Sequence, residues 1–345
     1  MFSKKIQSWF LQQGRDLPWR NTKDPYLIWV SEIILQQTRV NQGFNYYLRF
    51  IERFPTYQDL ANADENEVLK YWQGLGYYSR ARNMHTAAQS IKEKFPTEHK
   101  EVLSLKGVGE YTAAAICSFA YDQPYAVVDG NVYRVLSRYF GIDTPIDQTK
   151  GKKEFASLAQ EMLDQKHPAQ YNQAIMDFGA LQCTPKSPDC STCPLQDSCI
   201  AFNEGTVSEL PVKVGKIKIK DRFFNYICIN QGEFTYLVKR EKQDIWQNLY
   251  QMPLYESEKP IELNELLQSL EKSSLSVLKD PLSIELVVKD YIHILSHQRL
   301  HTNIYSVEVS SDFNLEAPYV KINKADIEDY PIPRLLHLFV EKLFS

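Results

Sequence analysis

The chain of 345 residues has no apolar run long enough to cross a bilayer. Its first residues, MFSKKIQSWF, carry two lysines with no apolar signal region behind them, so secretion is not expected. With 43% hydrophobic and 24% charged residues, the composition reads as soluble and globular, with length for two or more cores. Cysteine is scarce, six in all. Outside a secretory route disulfides are disfavoured, and clustered thiols become candidates for metal binding. A positive balance is lacking too: the formal net charge is −4. That average hides an asymmetry, because residues 1–220 carry a net +2 and residues 221–345 a net −6. Overall charge therefore leaves the partner open, and local patches decide it.

Four of the six cysteines fall in CTPKSPDCSTCPLQDSC, spaced Cys183-x6-Cys190-x2-Cys193-x5-Cys199. A zinc ribbon uses two C-x2-C pairs with a longer insert, and only one such pair is present. Four thiolates in a compact loop rich in Pro and Asp suit a cubane iron–sulfur cluster better, with zinc or plain structural thiols as the alternatives. Cys117 lies in an apolar helical run and Cys228 in a strand-like run, and both read as core residues.

Helical periodicity dominates residues 1–203, with breaks near Phe54-Pro55, near Phe95-Pro96 and around Gly141–Gly151. Within it, EVLSLKGVGEYTAAAICSFA (Glu101–Ala120) reads as helix, tight turn at Gly107-Val108-Gly109, helix. Such glycines let a backbone come close to another surface, and amides at a helix start attract phosphate. A bare G-x-G is an ordinary turn, but between two apolar helices it looks like a helix-hairpin-helix element. That element grips nucleic-acid backbone without reading sequence, which reconciles DNA binding with negative net charge. Further on, YAVVDGNVYRVLSRY delivers Asp129 to a Gly-Asn turn, where helix capping is the plain reading. Glu32, in WVSEIILQQTRV, lies in an apolar helix, and burial there would raise its pKa toward that of a general acid.

These segments carry a resemblance. The cysteine spacing matches the cluster loop of the endonuclease III superfamily, and VVDGNV resembles the catalytic aspartate segment of helix-hairpin-helix glycosylases. WVSEIILQQTRV, with LPW (Leu17–Trp19) and GLGYYSRAR (Gly74–Arg82), is similar to the adenine DNA glycosylase (MutY) family. The resemblance implies one 4Fe-4S cluster on Cys183, Cys190, Cys193 and Cys199, with Lys186 beside phosphate. It implies that Glu32 protonates adenine at N7 and that Asp129 supports the oxocarbenium-like sugar, with Tyr111 and Asn131 holding Asp129 and the sugar. Gln37 and Tyr77 resemble residues that wedge into the duplex, and Gly107 and Gly109 would meet its backbone. The lysine that forms a Schiff base in the bifunctional relatives is missing, since Tyr111 takes its place, so the enzyme should be monofunctional. Its partner would be double-stranded DNA with A:8-oxoG or A:G mispairs. No membrane association is expected. A monomer in a bacterial cytoplasm, associated with the nucleoid through DNA, is expected.

The expected architecture is multidomain. Residues 1–203 form an all-α helix-hairpin-helix glycosylase region, with a six-helix part at about 23–125 and a cluster part built from 1–22 with 126–203. Residues 204–222 read as a linker. Residues 223–345, with short alternating segments, one helix between them and a final helix RLLHLFVEKLF, read as an α+β domain with its own core. The family carries a Nudix-like domain there, used to recognise 8-oxoguanine. A Nudix box is lacking between 221 and 345, so hydrolase activity is not expected in it. The reading loop is typically Phe-Ser-His, whereas this chain has Leu295-Ser296-His297, in which Ser296 and His297 can still hydrogen-bond a base edge. Two other functions compete: a bifunctional glycosylase/lyase for oxidised pyrimidines, and a cluster-bearing electron carrier or DNA-binding module without enzymatic activity.

Overall fold

The computed structural model describes residues 2–215, 218–241, 243–273, 275–278 and 281–344. The chain forms two compact units, Met1–Asn62 with Asn83–Lys216, and Ala63–Arg82 with Ile217–Ser345. In chain order the helices before the strands are α1 (Phe2–Gln13), α2 (Pro25–Leu35), α3 (Val40–Arg53), α4 (Tyr57–Asn62), α5 (Glu65–Tyr71), α6 (Ser79–Ser90), α7 (His99–Ser104), α8 (Glu110–Tyr121), α9 (Gly130–Phe140), α10 (Thr149–Met162), α11 (Pro168–Asp177) and α12 (Ile200–Asn203). The chain passes between the units at 62/63, within α6, and at 216/217.

The first unit is built around two helices that are apolar on almost every side. Helix α2 starts where Asp24 accepts the Tyr26 amide at 2.8 Å, with Pro25 at its first position. Its Trp29, Val30 and Ile34 are fully buried, and it packs against α8, whose Ala113, Ile116 and Cys117 are fully buried too. Helices α7 and α8 form the hairpin anticipated from the sequence. Gly107 has φ +83, and a side chain there would also strike Cβ of Asn83, so the turn itself requires glycine. At Gly109, which caps α8, an added Cβ would meet nothing in the protein.

In the second unit, β1 (Lys220–Asn230), β2 (Phe234–Lys239), β3 (Tyr250–Gln251), β4 (Leu254–Ser257), β5 (Ser283–Ile294), β6 (Gln298–Glu308) and β7 (Tyr319–Asn323) form two sheets. Their orders are β4-β1-β6-β5 and β3-β2-β7, and β1 runs parallel to β6. Ile227, Ile229, Tyr236, Tyr305 and Val307 form the core with Leu266 and Leu270 of α13 (Leu263–Leu270). Cys228 is buried in β1, as Cys117 is in α8. The expected final helix is two short ones, α14 (Arg334–His337) and α15 (Val340–Phe344), separated by a tightened turn in which the Phe339 amide bonds Leu336 O at 2.9 Å.

The division differs from the sequence expectation in two places. Residues 63–82 belong to the second unit, because Lys239 bonds Asn66 at 3.0 Å, Asn248 bonds Glu65 at 2.6 Å and Arg82 bonds Gln247 O at 2.7 Å. The stretch 204–222 is not a free linker. Its first half is bonded onto the first unit through Leu210 O to Arg138 at 3.0 Å, Val212 O to the Ile146 amide at 3.1 Å and the Gly215 amide to Asp147 at 2.7 Å, and Lys220 already begins β1.

Asp177, at the end of α11, is fully buried and ties down the segment before α2. Arg15 and Arg20 both fork onto it, with the Arg15 amide at 2.9 Å and Arg20 Nη2 at 2.7 Å. Burial pushes its pKa up, but the two guanidiniums outweigh that and hold it below the usual carboxylate range. Its stabilising contribution is therefore complete above about pH 4 and lost as pH falls through the lowered folded value. Asp177→Asn should lower the free energy of unfolding by ~3–5 kcal/mol near neutral pH, because it leaves two guanidiniums short of a charge. Urea unfolding of both proteins across the acid range checks this, and the variant should lack the corresponding part of the acid limb.

Candidate active site

A cleft of ≈ 510 Å³ in the first unit is lined by Arg20, Glu32, Gln37, Tyr111, Asp129 and Asn131, among others. Glu32 comes from α2, Tyr111 from the first turn of α8, and Asp129 and Asn131 from the start of α9. Packing of α2 on α8 buries the Glu32 carboxyl, which is 7% exposed. Burial pushes its pKa up to about 7, against a hydrogen bond from Tyr111 that lowers it; the Asp129 charge raises it further and Arg20 lowers it. The Tyr111 phenol is itself driven far above its ordinary value by burial and by Glu32 and Asp129, so it stays a donor.

Asp129 is both a helix cap and a cleft residue. Its Oδ1 accepts the amides of Asn131 and Val132 at 2.9 and 2.8 Å, and its Oδ2 accepts the Asn131 side-chain amide at 2.7 Å. Burial raises its pKa, while these donors and Arg134 favour the anion and limit the rise. The two residues expected to hold Asp129 are placed differently. Asn131 holds Asp129, but Tyr111 hydrogen-bonds Glu32 and Met176, the latter at 3.4 Å, because α8 faces α2 here.

The four cysteines of residues 183–199 line one small pocket and are half-buried with free thiols. Among the described residues, no three metal-ligating side chains converge on a single-ion site. Four thiols lining one pocket suit a cluster, in which each thiolate holds a different iron. Burial pushes the thiols of Cys190, Cys193 and Cys199 up, Cys193 to about 11, so a positive centre is needed to hold them as thiolates. The donor set fits an iron–sulfur cluster.

Arginines that the sequence motifs leave without a role join this loop to the cleft. Arg134 Nη2 donates to Asn131 Oδ1 at 2.8 Å and its Nε to Cys183 O at 2.7 Å. Arg138, one turn on, donates to Thr184 O at 2.7 Å and lies 3.5 Å from Cys183 Sγ. The only sequence signal is their i, i+4 spacing on the helix that Asp129 caps.

Gln37 is exposed in the turn between α2 and α3, with φ 59, and Tyr77 is 46% exposed with φ 45. Side chains rarely hold that backbone, and such residues concentrate at functional sites. In the second unit Ser296 and His297 are exposed in the turn between β5 and β6, and the Ser296 and Tyr77 hydroxyls are hydrogen-bonded.

Comparison with known proteins agrees with this geometry. Residues 30–162 match the HhH-GPD superfamily of base excision DNA repair proteins, residues 183–199 the iron-sulfur binding domain of endonuclease III, and residues 225–342 the NUDIX domain. The chain is 36% identical to the adenine DNA glycosylase of Buchnera aphidicola subsp. Schizaphis graminum over 306 residues, 87% of this chain and 86% of that one. It is 42% identical to that of Mus musculus over 226 residues, 61% of this chain and 44% of the mouse protein. Among solved structures, a thermostable thymine-DNA glycosylase superposes with TM-score 0.55 at 29% identity, covering 59% of this chain and 95% of that one. A non-covalent endonuclease III–DNA complex, at TM-score 0.51 and 20% identity over 59% and 94%, shares the fold. The chain thus carries an iron–sulfur cluster loop.

Replacing Arg134 by Met removes the fork between Asn131 and Cys183 without adding charge. Iron retained per chain after a chelator challenge should fall about 10–100-fold, the usual effect of losing a group that orients metal ligands. Colorimetric iron determination on wild type and variant checks it.

Proposed function

The chain belongs to the adenine DNA glycosylase family, and on that premise we propose that it removes adenine mispaired with 8-oxoguanine or guanine, leaving an abasic site without cutting the strand. As a DNA glycosylase of base excision repair it hydrolyses an N-glycosidic bond in DNA. The observation that carries the finer reading is the buried Glu32–Tyr111 pair beside a helix-capped Asp129, in a cleft where no lysine is among the lining residues.

Adenine leaves poorly until its ring is protonated. With a pKa of about 7, Glu32 keeps its proton at neutral pH and can still release it, delivering it to N7. Tyr111 donates to Glu32 and fixes its orientation. Asp129, favoured as an anion by the α9 amides and Asn131, stabilises the positive charge that grows on the sugar. Two carboxyls whose environments separate their titration do the same work in glycosidases. A phenol cannot form a Schiff base, so Tyr111 supports a monofunctional reaction completed by water.

The base must first leave the stack, at a cost of a few kcal/mol that is smaller at a mismatch. Gln37 and Tyr77 take the wedge role, and the α8 N-terminus with Gly107 and Gly109 takes backbone phosphate; the open space at Gly109 supports close approach. Cys183, Cys190, Cys193 and Cys199 would hold one 4Fe-4S cluster, which when bound cross-links the loop 183–199 into a fixed shape. Action as a monomer in the bacterial cytoplasm belongs to the same proposal.

Single-turnover assays on A:8-oxoG, A:G and thymine glycol:A duplexes test the proposal. Strands should break only after alkali, and borohydride should trap no adduct. Glu32→Gln should slow excision at least ~100-fold with DNA binding largely retained; a residual rate above a tenth of wild type would remove Glu32 as the acid. Because the acid form is the active one, the wild-type rate should fall as pH rises past about 7, and the variant should lack that descent.

Ser296→Ala with His297→Ala should reduce the preference for A:8-oxoG over A:G by ~1–3 kcal/mol, the usual worth of a good base contact. The ratio of the two single-turnover rates measures it.

A further inference from the structure

Resting on the wedge reading of Tyr77, we propose that Arg80 is a positioning residue for excision, holding Tyr77 in the shape from which its ring enters the duplex. Tyr77 lies in the loop between α5 and α6, in the second unit. Gly74 with φ 99, Gly76 with φ 72 and Tyr77 with φ 45 all take left-handed backbone there. Glycine does so freely, whereas a tyrosine does so only where its surroundings impose it. The Tyr77 side chain is 46% exposed, so its own packing does not supply that constraint. Its hydroxyl is bonded to Ser296, and both residues line a cavity of ≈ 380 Å³ in this unit. That contact fixes the tip of the ring, not the backbone dihedral at its root. Glycine at position 77 would hold the same turn without strain. A bulky ring kept there at a cost has a use outside the fold itself.

Arg80, in the first turn of α6, supplies the constraint. Its Nη2 donates to Gly76 O at 3.1 Å and to Leu75 O at 3.3 Å. Its guanidinium carbon lies over the Tyr77 ring at 5.7 Å and over the Trp72 ring at 5.1 Å. Trp72 is fully buried, and its Nε1 donates to the same Gly76 carbonyl at 3.1 Å. Exposed Tyr77 is thereby tied, through one planar cation, to a ring anchored in the core. The peptide between Gly76 and Tyr77 is the one that must rotate for the turn to relax, and its carbonyl carries both donors. The Arg80 amide completes the clamp by donating to Tyr77 O at 2.9 Å. Burial lowers the Arg80 pKa to about 10, which leaves it charged at neutral pH. A lysine does not replace it, because an ammonium is a compact point charge without a flat face to lay on a ring.

The test is a double-mutant cycle in the full-length holoprotein with Arg80→Met and Tyr77→Ala, read by single-turnover excision from an A:8-oxoG duplex. Arg80→Met should slow excision about tenfold, the worth of one clamped left-handed residue with its cation–π contact. In the Tyr77→Ala background the same change should alter the rate by less than about twofold, because the group through which Arg80 acts is gone. A loss of equal size in both backgrounds overturns the inference, since general damage to the unit does not depend on Tyr77. A phosphate-holding role would instead make the salt dependence of DNA binding shallower in Arg80→Met, by about one unit of the logarithmic slope, and that outcome overturns it too. Should Arg80→Met not fold, Arg80→Lys goes through the same cycle, with a loss expected in the parent background alone. Tyr77→Ala excising at the wild-type rate would sink the wedge reading itself, whereas a slow Tyr77→Ala with an additive Arg80 effect sinks only this inference.

Discussion

Everything in the cleft depends on keeping a carboxyl group out of water beside another carboxyl. Glu32 sits on a helix with almost no polar face, pressed against a second such helix, and burial is the largest cause of its pKa rising to about 7. Asp129 is buried as well, yet it has what Glu32 lacks: the start of a helix, with two amides and the Asn131 side chain aimed at it. Burial raises the pKa of both groups, and the donors around Asp129 limit the rise there, whereas Glu32 is carried up to about 7. Tyr111, by donating to Glu32, holds the carboxyl in place and partly offsets the rise that burial causes.

The cluster loop is tied into the same arrangement at some distance. Arg134 reaches from the helix that Asp129 caps to the carbonyl of Cys183, and Arg138 holds the next two carbonyls of the loop. A guanidinium suits this task because its donors are fixed in a plane and cannot all turn to one acceptor. The loop and Asp129 are therefore parts of one hydrogen-bonded body, which gives a structural reason for a cofactor site that supplies no group to the cleft.

The second unit makes a different use of arginine. Arg222 and Arg240 converge on Asp244, and Arg82 holds the following loop, so that a stretch with two left-handed residues keeps one shape. The residues that wall its cavity come from chain segments far apart, among them 75–82 and 294–298. Motifs point to the separate segments, and only the fold brings them together around one cavity. The second unit matches the NUDIX domain and is built on two sheets.

What the sequence by itself determined is what short-range physics decides. The cysteine spacing, the glycine turn between two apolar helices, the capping Asp129, the apolar surroundings of Glu32 and the tyrosine in the lysine's place all lie within a few turns of chain. Each was legible because its meaning depends on neighbours along the sequence. The tertiary structure alone decided that Tyr111 bonds Glu32 rather than Asp129, since that depends on how α8 faces α2. It also decided that Arg134 spans 49 residues to Cys183, that residues 63–82 join the second unit, and that the linker is bonded down in its first half. Contacts between distant segments are set by packing and desolvation of the whole fold, and no local pattern encodes them.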